Sequence, residues 1–155
     1  MLVFSILEMF KIGVGPSSSH TVGPMVAAHE FVTALERDGS LERVGRGRTV
    51  LYGSLALTGL GHGTDRATVA GLEGNMPQSV DTDHVNTIRQ ECERSGELSL
   101  NGTHRIPFDY AHDVVMDGWH RMEAHPNGMR FQAFDAYDTL IQEQVWHFIG
   151  GGFVR

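Results

Sequence analysis

Cysteine is almost missing from this chain: Cys92 is the only one in 155 residues, so no internal disulfide can form. Lysine is as scarce, with Lys11 alone against eleven arginines, and a pyridoxal-phosphate Schiff base would have to use that one residue. Positive charge in general is short. Twelve Lys and Arg face nineteen Asp and Glu for a formal net charge of −7, and RVGRGR at 43–48 is too brief a basic stretch to neutralise a run of phosphates. Nucleic acid and anionic membrane surfaces are thereby excluded as partners. Long apolar runs are lacking too. MLVFSILEMFKIGV is broken by Ser5, Glu8 and Lys11 and falls short of the ~20 residues of a membrane span, nor does it read as a signal peptide. With a single thiol, the expected compartment is the cytoplasm.

What is present reads as one globular domain over 1–155, without internal repeats or interior linkers. PMVAAHEFVTALER predicts a helix over 24–37, with Pro24 at the first helical position, Met25, Ala28, Phe31, Val32 and Leu35 on one face, and Asp38-Gly39 ending it. RTVLYGSLAL at 48–57 reads as a strand. DRATVAGLEG at 65–74 reads as a helix capped by Asp65, and DTDHVNTIRQECERSG at 81–96 as a helix closed by Gly96. The second half alternates short runs with turn residues, in ELSL, HRIPF, DVVMDGW, GMRFQAFDA and TLIQEQVWHFIGG, as antiparallel strands do. Helices early and strands late predict an α+β two-layer sandwich, helices on one face of a mixed, largely antiparallel sheet.

Three segments carry chemistry. In GVGPSSSHTVGPM (13–25), glycines and prolines fence Ser17, Ser18, Ser19, His20 and Thr21 just ahead of a helix start, where hydroxyls, free N–H groups and the helix dipole favour an anion such as a carboxylate or phosphate. The plainer reading is a helix cap, which needs one hydroxyl rather than four. GVGPSS begins like a dinucleotide fingerprint but has Ser18 at the third glycine, and no GxxxxGK[ST] occurs. In GLGHGTD (59–65), His62 stands between glycines with Asp65 three residues on, which suits a general base whose tautomer or pKa a carboxylate sets; a surface turn is the alternative. In HPNGMRF (125–131), His125 and Asn127 sit in a Pro-Asn-Gly stretch that reads first as a hairpin turn, with Arg130 just inside the next strand. His29, His84, His104, His112, His120 and His147 show no HExxH or other metal spacing.

Taken together, FKIGVGPSSSHTVGPM, LYGSLALTGLGHGTD, HPNGMRF and the terminal IGGGF resemble, in this order and over essentially the whole chain, the N-terminal β domain of the iron–sulfur-dependent L-serine dehydratases, or L-serine ammonia-lyases. The resemblance implies deamination of L-serine to pyruvate and ammonia without pyridoxal phosphate. It implies an oxygen-sensitive 4Fe-4S cluster whose cysteines come from a separate α domain, and an α+β fold similar to the allosteric substrate-binding domain of some D-3-phosphoglycerate dehydrogenases. A cluster takes three or four thiolates, so Cys92, inside the helix expected over 81–96, is not its site. The expectation is a fragment, or one subunit of a two-chain enzyme, inactive by itself and ending at a glycine-rich domain boundary.

The same resemblance implies roles. Ser17, Ser18, Ser19 and Thr21 would bind the substrate carboxylate at the domain interface. His62 is the first choice of base and His20 the second; Asp65 would tune His62 and is grouped with the substrate-binding set, and His125 and Asn127 would complete the polar wall. Arg130 is a weaker candidate with a structural alternative. The partners implied are L-serine, the α domain and further copies in a homo-oligomer. Two alternatives stay open: a regulatory, serine-binding domain of the same enzyme, or a dimerisation module of it.

Overall fold

The computed structural model describes residues 2–4, 22–57, 63–118 and 127–148. Five strands form one mixed sheet in the order β1-β7-β6-β2-β5: β1 (Leu2–Phe4), β2 (Arg46–Tyr52), β5 (Val114–Asp117), β6 (Asn127–Phe134) and β7 (Leu140–Phe148). A separate antiparallel pair joins β3 (Glu97–Leu100) to β4 (His104–Pro107). Each of the five second-half runs with strand character does become a strand, and the class is α+β as expected. The directions are less uniform. β6 is antiparallel to β2 and β7, but β5 runs parallel to β2 and β1 parallel to β7. Parallel neighbours need a long crossover, and the helices and hairpin between Tyr52 and Val114 provide it.

The first long helix, α1 (Val22–Arg37), buries Met25, Ala28, Phe31, Val32 and Leu35 as its periodicity predicts. It starts two residues before Pro24, which lies in the first turn, where a missing N–H costs nothing. α1 docks on the sheet through Phe31, whose ring stacks on Phe131 of β6 at 5.3 Å. On that face of β6 Met129 opposes Leu51 of β2 and Trp146 of β7, and Phe131 opposes Thr49 and Gln144; all six are buried, as is Ala133 on the same face, so strand alternation and helix periodicity meet in one core. β6 and β7 are joined by a tight turn in which Asp135 Oδ1 accepts from the backbone N–H groups of Tyr137 and Thr139 at 2.8 and 3.0 Å.

Three local expectations are corrected. The strand predicted over 48–57 stops at Tyr52: Gly53 takes φ +62° and α2, a single turn (Ser54–Leu57), follows. The helix expected from Asp65 is α3 (Thr64–Leu72), with Gly63 at its N-cap in the left-handed region (φ +74°); Asp65 lies inside the first turn. The Asn127-Gly128 pair is no hairpin turn but the start of β6, because Gly128 is paired with Tyr52 on one side and His147 on the other. Sheet neighbours on both edges override the local turn signal. By contrast α4 (Thr82–Ser95) appears as expected, Asp81 accepting from Asp83 N at 2.9 Å at its start and Gly96 closing it.

Candidate functional site

Helices α1 and α3 pack with their N-terminal ends together. Val22 and Met25 of the first, and Gly63, Arg66 and Ala67 at the start of the second, line one cavity of about 270 Å³, with Val80 on its apolar side. Arg66 is the only charged group among the described lining residues. Its guanidinium folds back over the turn: a Cβ built on Gly63 would stand 2.9 Å from Arg66 Nη2, and the φ of +74° is strained for any other residue. Both helix starts bear on the chemistry read from sequence. The described ends of the two motifs, Val22 and Met25 of the first and Gly63 of the second, line this one cavity at the starts of two helices.

Asp65 is among the most buried polar groups described, at 1% exposure. Its Oδ2 accepts a 2.7 Å hydrogen bond from the Tyr110 hydroxyl, while Oδ1 and the neighbouring Thr64 Oγ1 have no hydrogen-bond partner among the described residues. Tyr110 opens α5 (Tyr110–Asp113), a single turn pinned by Asp113, whose Oδ2 accepts from Asp109 N at 2.8 Å. Burial first, and then the bond to Asp65, push the Tyr110 phenol well above its ordinary range, so it remains a donor.

Of the residues singled out in sequence, Ser17, Ser18, Ser19, His20, Thr21, His62 and His125 lie outside the described residues, and Asn127 is described as the first position of β6. Asp65 lies in α3, next to the cavity-lining Arg66. Arg130 is a sheet residue: it pairs with Glu143 at 2.9 Å and its Nε donates to Tyr52 Oη at 3.4 Å, which supports its structural alternative. Several other histidines are engaged locally, His84 with Glu73 at 2.6 Å, His112 with Asp109 at 2.7 Å and His104 with Val44 O at 2.8 Å. Tyr110 had no signal in sequence. FDYAHD looks like any turn, and its partner is 45 residues away.

The group implied for this chemistry is an iron–sulfur cluster, and the described residues do not fit one. No group of three or more His, Cys, Asp or Glu among them could hold a metal ion. Cys92 is buried and free, its thiol pushed up to about 12 by burial and by Glu73, Glu91 and Glu93, so it stays protonated rather than becoming a thiolate ligand. No helix among the described residues is long and apolar enough to cross a membrane.

Comparison with known proteins agrees with the motifs. Residues 5–155 match the family described as serine dehydratase beta chain. The chain is 42% identical over 153 residues to an L-serine dehydratase of Streptomyces coelicolor, covering 99% of this chain and 34% of that protein. It is 44% identical to an L-serine dehydratase of Helicobacter pylori strain J99 over 99% of this chain and 33% of the relative. L-serine dehydratase 2 of Escherichia coli K12 is 43% identical over 98% and 33%. The chain thus spans about one third of the length of these curated relatives.

Proposed function

The chain belongs to the serine dehydratase beta chain family, and from that premise we propose that it is the β domain, over 1–155, of an enzyme that deaminates L-serine to pyruvate and ammonia. The observation that supports this best is the cavity shared by the starts of α1 and α3, at which both sequence motifs end. A small amino acid presents a carboxylate, an ammonium and a Cα proton within a few ångströms. Two helix N-termini and Arg66 suit the first of these, and a histidine with an acid three residues on suits the last.

In this reading Ser17, Ser18, Ser19 and Thr21 bind the substrate carboxylate through hydroxyl and amide donors, with His125 and Asn127 as further polar contacts. His62 takes the proton from Cα, with His20 the second choice; the electron pair left behind forms the Cα–Cβ double bond as the Cβ–O bond breaks, and the departing hydroxide takes the proton from the imidazolium to leave as water, which returns the base to its neutral form. The enamine tautomerises and is hydrolysed to pyruvate and ammonia. Asp65 orients or charges the base. The 4Fe-4S cluster of the family belongs to an α domain outside this chain, since one protonated thiol cannot hold it. The site is therefore shared between domains, in a cytoplasmic, homo-oligomeric enzyme.

The test is His62→Ala in the complete enzyme. Loss of a general base costs roughly 10²–10⁴-fold in kcat. A drop of that size, with bound iron unchanged, supports the assignment, and near wild-type kcat sinks it.

A further inference from the structure

We infer that the cavity between α1, α3 and α4 is a binding site for a small organic monocarboxylate, with the Arg66 guanidinium as its charge partner. The inference shares this cavity with the reading above but uses described residues alone, so it does not depend on which group is the base. A guanidinium carries five N–H donors and no acceptor, and taking it out of water is costly unless an acceptor meets it. Arg66 is half-buried, its Nε is buried without a hydrogen-bond partner, and no carboxylate among the described residues pairs with it. Other arginines are served differently. Arg46, Arg89, Arg105 and Arg130 meet Asp113, Glu93, Glu97 and Glu143 at 2.9 to 3.4 Å, and the side chain of Arg105 has a partner even at 69% exposure, where pairing is worth least. The guanidinium that needs an acceptor more is therefore left without one, beside an open cavity.

The walls say which anion fits. One cation and no acidic side chain line the cavity among the described residues, so a single negative charge is balanced there. The first turns of α1 and α3 add to the positive field; α4 does not, since Asp81 and Asp83 offset its start, and it supplies instead the exposed Thr82 hydroxyl and Asn86 carboxamide. Met25, Ala67, Val80 and Val85 make the remaining wall apolar. Phosphate or sulfate would leave that wall uncovered, whereas a carboxylate on a short carbon chain meets both the charge and the apolar surface. The cavity of about 270 Å³, set against roughly 30 Å³ for one water, has room for roughly nine heavy atoms. Gly63 keeps the charge in place, because a Cβ there would stand 2.9 Å from Arg66 Nη2. The planar fork of an arginine also matches a carboxylate better than a lysine would. Such a ligand has two sources, the substrate's own carboxylate or that of a separate regulatory molecule.

The experiment treats the complete enzyme with phenylglyoxal, which modifies accessible guanidinium groups, and follows the Arg66 peptide by mass spectrometry at constant ionic strength. Isobutyrate is the probe, isobutyramide its neutral isostere, and the exposed Arg37 the internal reference. Isobutyrate at ten times its dissociation constant should slow modification of Arg66 about tenfold by mass action, with isobutyramide without effect and Arg37 unchanged. A rate at Arg66 unmoved by about 100 mM isobutyrate, far above a millimolar dissociation constant, or slowed equally by the amide, overturns the inference. If Arg66 does not react at all, thermal unfolding decides: isobutyrate should raise the melting temperature of the wild type and not that of Arg66→Gln, and equal shifts or none overturn it. Kinetics with L-serine then separate the two sources. In R66Q, a KM raised about tenfold or more at near wild-type kcat makes the carboxylate the substrate's own, and an unchanged KM beside protection makes it a separate ligand's. An active H62A enzyme removes the base assignment and leaves this site standing, whereas an unprotected Arg66 removes only the site.

Discussion

Replacing Gly71 by alanine tests the contact between α1 and α3, whose starts line one cavity. Taken alone, the change should help: alanine is better than glycine inside a helix by about 1 kcal/mol. The structure reverses the sign. A Cβ at Gly71 would stand 2.3 Å from the carbonyl oxygen of Met25 and 2.8 Å from Ala28 Cβ, both on α1. Neither obstacle is the tip of a flexible side chain, so relief requires α1 and α3 to separate by about 1 Å if carbon contacts are to regain their usual ~3.5 Å. Such overpacking costs typically 1–3 kcal/mol and here falls at its upper end, for a net loss of about 2 kcal/mol after the helix gain. At 2–4 °C per kcal/mol for a chain of about this size, the melting temperature should drop by about 4–8 °C. Thermal or urea unfolding of Gly71→Ala reads this directly. Gly47→Ala is the control, because its Cβ would meet only Ile106 Cδ1 at 3.8 Å and Gln132 O at 4.0 Å. A G71A protein as stable as wild type, or more so, would refute the close α1–α3 contact and with it the shared cavity at their starts.

Other outcomes follow from charges and burial. Burial raises Glu143, but hydrogen bonds from Gln132 and Arg130 outweigh it and hold its folded pKa below the usual 4.5. A depressed carboxylate contributes stability that is present above the unfolded pKa and lost as pH falls through the folded one; acid unfolding curves should therefore flatten below about pH 4.5 in Glu143→Gln, and an unchanged pH dependence would contradict the pair. Cys92, with its thiol near 12, should react with a disulfide reagent at pH 8 only as fast as the chain opens, and a native-state rate like that of a free thiol would show that it is not buried.

Much of the architecture was legible along the chain. The buried face of α1 follows from the spacing of Met25, Phe31, Val32 and Leu35, the limits of α4 from Asp81 and Gly96, and the strands of the second half from branched and aromatic runs between turns. These are local properties: each residue's preference concerns neighbours within four positions, or the choice between water and core. The departures share the opposite character. Tyr52 ends its strand where Gly53 turns out of line, and Asn127-Gly128 becomes strand because Tyr52 and His147 pair with Gly128 from both sides.

The chemistry divides in the same way. Sequence alone determined that one thiol cannot hold a cluster and that two motifs place hydroxyls and an imidazole beside glycines, since counts and spacings carry that information. Only the tertiary structure decided that the helices following those motifs start at one cavity, that Arg66 lines it, and that Asp65 is no helix cap but a buried acid held by Tyr110. The reason is physical: a hydrogen bond across 45 residues leaves no periodicity behind, and the energy of a carboxylate depends on what surrounds it rather than on what precedes it.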